Sequence, residues 1–108
     1  MNTSLLTLTV LAAAELTANR FCTAVGALPT LKGNTLGVCR AGAAIGELSP
    51  VDVLGTTMVE ASAAISAGAA LNATAAGLAV THTDGVIVAR ALTGGGAGDL
   101  IEVLLIAN

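Results

Sequence analysis

The sequence has no tryptophan and no tyrosine, and Phe21 is its only aromatic residue. Charge is equally scarce, with seven Asp or Glu against four Lys or Arg. Binding of nucleic acid draws on a basic stripe or on aromatic stacking platforms; neither is present, which excludes that class of partner. His82 is the sole histidine, and Cys22 and Cys39 are the only cysteines, 17 positions apart with no CxxC pair. No second ligand lies at a spacing that serves a metal, and the two cysteines read as small buried apolar side chains. No apolar run approaches the roughly 18 residues that a membrane-spanning helix requires, so the sequence reads as that of a soluble protein.

What is abundant is small. Hydrophobic residues make up 55% of the 108, but alanine alone supplies 23 of them, and glycine another 13 positions. Chain length fits one domain, which at this size buries roughly two-thirds of the surface its unfolded form exposes. Alanine contributes little area to that burial, at roughly 25 cal/mol per Å². A lone monomer therefore has a thin core, and a surface poor in charge suits coverage by other subunits.

Short apolar runs between turn signals predict an all-β fold, a small barrel or sandwich of hairpins with at most one helical turn. The strands are expected near 4–11, 20–25, 35–40, 50–60, 69–73, 78–81, 85–92 and 99–106. Pro50 suits the start of a strand, where a missing N–H is tolerated. The stretch "ASAAISAGAAL" (61–71) reads as a loop, and KGN (32–34) and TAAG (74–77) as turns. The opening "MNTSLLTLTVLAAAELTA" resembles a cleavable leader in its apolar middle and small residues. It lacks the preceding positive charge, and its Thr/Leu alternation is strand patterning. Residues 1–11 are thus expected to form an N-terminal strand or arm, and 12–108 a single β-domain.

The glycines of "ALTGGGAGDLIEV" invite comparison with a phosphate cradle. Such a cradle follows a strand and opens a helix, whose N–H groups face the anion. Here the glycines precede a strand, Asp99 stands where a third glycine belongs, and no GK[ST] occurs, so they read as a hairpin connection whose glycines supply positive φ. A looser copy lies at 37–55: both stretches begin Gly-Val, pass an arginine (Arg40, Arg90), and reach Gly-acidic-Leu (46–48, 98–100). Both then enter a strand with an acidic residue on its polar face, Asp52 or Glu102. The pattern predicts a repeated β-hairpin whose turn carboxylate caps exposed N–H groups.

No constellation for catalysis is legible. His82 lies in the polar turn "VTHTDGV", the carboxylates are scattered singly on solvent-facing positions, and no serine has a GxSxG context. The chain does not read as an enzyme, and no cofactor, small-molecule substrate or membrane is implied.

With these elements placed, the sequence resembles the capsid cement, or head decoration, proteins of tailed bacteriophages. The likeness rests on Ala13 to Leu16 with Arg20 and Phe21; on Leu36-Gly37-Val38, Gly46-Glu47, Val51, Val53 and Gly55; on Ile65, Gly68, Leu71, Gly77, Ala79 and Val80; and on Val86 to Leu92 with Gly98 to Leu104. It spans residues 4–106. Cys22 and Cys39 replace small aliphatics, which could mark an extra covalent staple, and Gly94–Gly96 replaces a mostly alanine loop. The resemblance implies a homo-oligomer, most often a trimer, that binds the outer surface of the head in the virion and bridges major capsid subunits. Contact is expected through the N-terminal segment, Ser4, Leu5, Leu6, Thr7, Leu8, Thr9 and Val10, adding a strand to an open edge. Two other readings keep the same fold: a spike or fibre-associated virion module, and a secreted or surface β-domain cleaved near Ala14.

Overall fold

The computed structural model describes residues 4–108, and among these it contains eight strands and no helix. They are β1 (Ser4–Leu11), β2 (Phe21–Cys22), β3 (Gly37–Cys39), β4 (Leu48–Glu60), β5 (Ala70–Ala73), β6 (Ala79–Thr81), β7 (Ala89–Ala91) and β8 (Leu100–Leu105). All pair antiparallel, in the order β2-β3-β4-β8-β7-β5-β6, with β1 on β4. An isolated bridge from Ala61 to Ala79 brings the end of β4 to β6, so the sheet curls almost to closure. The barrel of short hairpins expected from the sequence is therefore what forms, and residues 61–69 are a loop without a helical turn.

Most strands are shorter than the sequence suggests, and β4 is longer. The segment 20–25 pairs only at Phe21 and Cys22, because Thr23 closes a tight turn in which its N–H donates to Ala27 O. β4 begins two residues before Pro50, which pairs with Thr9. Its first part lies between β1 and β3 and its second part pairs with β8. Gly55, at φ 99°, makes the change of sheet. A side chain at that angle is strained by roughly 1–3 kcal/mol.

The repeated hairpin extends into a duplication of almost the whole chain. Leu16 and Ala43 exchange backbone hydrogen bonds, and so do Ile65 and Gly95. Gly46 N donates to Ala12 O as Gly98 N does to Ala61 O; Asn19 N donates to Cys39 O as Gly68 N does to Ala91 O; Leu36 N donates to Cys22 O as Val88 N does to Leu71 O. The pairing of β1 with the first part of β4 (Leu11 opposite Leu48) matches that of the second part of β4 with β8 (Glu60 opposite Leu100). Even the left-handed residue is kept, as Asn19 at φ 63° and Gly68 at φ 88°; asparagine is among the few side chains that tolerate this region. β4 thus closes the first half of the chain and opens the second.

The core is duplicated too. Val10, Ala12, Leu16, Cys22, Cys39 and Val51 form a small buried cluster. Their equivalents, Val59, Ala61, Ile65, Leu71, Ala91 and Val103, lie in a larger one. The larger cluster gains Phe21 and Val38, which belong to the first half but point away from its own core. Phe21 N donates to Gly77 O at 2.7 Å, so backbone and ring together fasten the first half to the second. The only aromatic residue is thus spent on the joint.

Replacing Phe21 with alanine should cost roughly 3–5 kcal/mol. Denaturant unfolding checks this, and Phe21→Leu is expected to avoid most of the loss.

Candidate interaction surface

β1 alternates threonine and leucine because one of its faces must meet the small core. Val10 fulfils this at 8% exposure. The rest of the strand does not follow the rule. Leu8 and Leu6 share the inward parity of Val10, yet are 41% and 45% exposed, and Leu5 and Leu11 on the other face reach 69% and 59%. β1 therefore exposes leucines on both of its faces. One of its edges is held by β4; the other has no strand partner among the described residues. Leu48 and Leu54 on β4 extend the exposed apolar area.

The inward face of β1 opens, at Leu6, onto the first of two neighbouring shallow grooves. One, of about 270 Å³, is lined by Leu6, Thr35, Leu36, Val53, Leu54 and the C-terminal Ala107 and Asn108. The second, of about 320 Å³, runs from Thr23–Val25 past Asn34 to the same Asn108. Asn108 stands between them because its Oδ1 accepts from Thr35 N at 2.8 Å.

What fixes β1 to the domain is a carboxylate that the sequence reading placed at the solvent. Asp52 is buried, at 3% exposure. Its Oδ1 accepts from Ser4 Oγ at 3.0 Å and Thr7 Oγ1 at 2.9 Å, and its Oδ2 accepts from Thr57 Oγ1 at 2.9 Å. Arg40 Nε lies 3.4 Å from Oδ1. A buried charge persists only when paired and hydrogen-bonded, and three hydroxyls with a guanidinium meet that demand. Alternation had assigned Asp52 to the polar face correctly; what it missed is that β1 and Arg40 close over that face. Of the segment 4–10, then, Ser4 and Thr7 are turned to the domain, whereas Leu5, Leu6 and Leu8 are open.

The remaining chemistry-bearing residues do not converge. No three metal-ligating side chains cluster among the described residues. His82, expected in a solvated turn, is half-buried; its N–H donates to Ala70 O, and its Nδ1 is enclosed without a hydrogen-bond partner. Asp84 is exposed, and hydrogen bonds from Lys32 and Thr83 hold its carboxyl below the usual range. That contact ties the loop around Lys32 to the one before β7.

The glycine run has a different cause from the one expected. Gly94, Gly95 and Gly96 do not take positive φ; only Gly98 in that loop does, at 84°. A Cβ on Gly94 would stand 2.9 Å from Ile65 O, and one on Gly95 the same distance from Ile101 Cγ2. The run supplies space for two close approaches. The turn carboxylates cap as expected: Gly96 N donates to Asp99 Oδ2 and Ala44 N to Glu47 Oε1, both at 2.8 Å.

Cys22 and Cys39 are both free and buried, which removes the covalent staple considered above. A hydrogen bond to Cys39, together with burial, pushes the Cys22 thiol well above its ordinary value. The hydrogen bond with Cys22 shifts Cys39 the other way, to a lower value, so burial rather than thiol acidity marks this pair as core material.

Two tests follow from this geometry. Asp52→Ala should accelerate hydrogen exchange of the β1 amides at least tenfold and cost roughly 1.5–3 kcal/mol, the range for hydrogen bonds to a charged group. Unchanged exchange in β1 would show that the strand is held by backbone pairing alone. In a maleimide-labelling experiment, the folded protein should take up no label and the unfolded chain two, whereas rapid labelling of the native state would contradict the enclosed thiols.

Comparison with known proteins accords with this picture. No curated protein matches the chain. Among solved structures, the head fibre gp8.5 N base of bacteriophage phi29 superposes with a TM-score of 0.78. It is 20% identical, over 94% of this chain and 93% of that one, and so shares the fold. A family model described as phage cement protein matches residues 2–105. That match covers the two halves, the Phe21 joint and the open strand alike, and the chain belongs to the phage cement protein family.

Proposed function

We propose that this virion structural protein binds the outer surface of the assembled phage head and bridges neighbouring major capsid subunits, acting as a homo-oligomer, most simply a trimer. The observation that carries the reading is β1, a strand with exposed leucines on both faces and one edge that has no strand partner among the described residues. An apolar strand left open in this way is a liability unless a partner covers it. Adding a strand from a capsid subunit would satisfy the edge and bury Leu5 and Leu8 together. Family membership supports a capsid partner. The likeness to the base of a head fibre supports a seat on the head.

The mechanism is one of mass action. A protein that binds only the intact lattice stabilises it by an amount that grows with the logarithm of its concentration over Kd. No chemistry is required of it, and the scattered titratable groups offer none. A sparsely charged exterior lowers the desolvation cost when the contact face is covered.

Deleting residues 1–10 would remove Val10 from the core and two of the hydroxyls on Asp52, so a point substitution is the cleaner probe. Leu5→Lys leaves the Asp52 contacts intact. Co-sedimentation with mature heads lacking the protein should show saturable binding in an integer ratio to capsid subunits, weakened at least tenfold by Leu5→Lys. Undiminished binding of Leu5→Lys would exclude β1 as the contact, and binding confined to tail or vertices would favour the spike or fibre-associated reading.

A further inference from the structure

The two halves of the chain are built alike but are not covered alike. In the first half, one row of side chains crosses the sheet as Phe21, Val38, Asp52 and Thr7, each directly opposite the next. In the second half, the equivalent row is Ala70, Arg90, Leu104 and Thr56. The first row is covered over most of its length: Phe21 and Val38 are fully buried against the core of the second half and Asp52 is buried too, with only Thr7 at its end exposed. The second row is open, with Arg90 exposed and Leu104 at 43%.

The surface that receives the first row shows the same imbalance. Val88 and Leu105 of the second half are buried in the cluster that contains Phe21 and Val38. Their equivalents in the first half are Leu36 and Val53, which are only partly buried and border the two grooves described above. Each half thus has a row that covers and a seat that is covered. Inside the molecule, the row of the first half fills the seat of the second. The row of the second half and the seat of the first are left over.

A closed twofold relation between the halves would fill both seats. This relation fills one, so it is open-ended, and an open-ended contact is completed by another copy in the same sense. We propose that copies of this chain associate head to tail, with the face around Arg90 and Leu104 of one copy resting on the grooves at Leu36 and Val53 of the next. The inference deepens the self-association proposed above and does not depend on how the shell is bound. Arginine in place of valine suits such a contact. Its Nη1 already donates to Gly68 O at 2.9 Å, which lays the stem along the sheet, and arginine is enriched where protein surfaces meet. Around the grooves, Asn34, Thr35 and Asn108 offer polar groups to the remaining N–H donors.

The joint between copies differs from the joint within one in a single respect. Within the chain, β4 runs unbroken from half to half; between copies, residues 106–108 of one chain arrive beside residues 4–6 of the next. The two faces set the approach, and the ends must part to allow it.

Cross-linking with a flexible bis-maleimide distinguishes this arrangement from others, since the native cysteines are enclosed. Val25→Cys marks the groove and Leu104→Cys marks the row. Each variant alone should give no covalent dimer, whereas an equimolar mixture should give dimers and the double variant a ladder of larger products. A mixture that yields no dimer, or single variants that cross-link as well as the mixture, overturns the proposal; the latter outcome is that of a symmetric contact. As a second measurement, Arg90→Glu should weaken self-association at least tenfold in sedimentation equilibrium, and unaltered association counts against the interface. Head binding is scored separately: a protein that binds heads without mixed cross-links refutes this contact alone, and one that cross-links but binds no head refutes the shell reading alone.

Discussion

A chain with one aromatic residue and 23 alanines has little with which to fill a core, and that shortage shapes the rest of the molecule. The response is to make two small clusters and join them. Each half closes a miniature sheet over a handful of aliphatic side chains, and Phe21 crosses the joint so that the second cluster is large enough to hold. Burial of a large side chain is worth roughly 1.5–3 kcal/mol, and there is only one such ring to place. Its position at the joint, rather than within either half, makes the two halves one folding unit.

The same shortage explains why β1 is held by polar contacts. Its leucines have no core to enter, so the strand is fixed by backbone pairing to β4 and by the hydroxyls of Ser4 and Thr7 on Asp52. This leaves the apolar side chains free for something outside the molecule. Polar fixation and apolar exposure on one strand are a division of labour: a strand already ordered would lose less entropy in the contact proposed for it. A pre-ordered apolar edge is consistent with the shell contact proposed above for this member of the cement family.

Much of the fold could be read from the residues. The Thr/Leu alternation marked β1 at its observed limits, and Gly-acidic-Leu marked both hairpin turns with their carboxylate caps. Of the matches read from the sequence, only Gly46-Glu47-Leu48 and Gly98-Asp99-Leu100, where turn chemistry is demanding, fall on equivalent positions; the two Gly-Val pairs, Arg40 with Arg90, and Asp52 with Glu102 do not. Elsewhere the halves have been rewritten to do opposite things: Phe21 against Ala70, Val38 against Arg90, Asp52 against Leu104. Each exchange leaves a buried position more open, fully so at Arg90 and Leu104 and partly at Ala70, so resemblance vanishes where the two halves are covered differently. The burial of Asp52 was not legible, because it depends on a strand and an arginine that approach from distant parts of the chain. The glycine run misled for a related reason: glycine serves both unusual φ and close approach, and only the neighbours decide which. For the candidate surface, composition indicated that something must be covered, but not that Leu6 and Leu8 on the inward face would be open as well.

The double service of β4 has a consequence for how the chain acquires its structure. Neither half contains a strand pair between β1 and β4, or between β4 and β8, that is local in sequence; each waits for dozens of residues to be made and brought back. Topologies dominated by such pairings fold on the millisecond-to-second scale. β4 also couples the halves alongside the Phe21 joint, since its first part cannot settle between β1 and β3 without aligning its second part for β8. A newly made chain therefore carries Phe21 uncovered until its last strand is in place. The two halves are expected to fold as one unit, with their surfaces formed together.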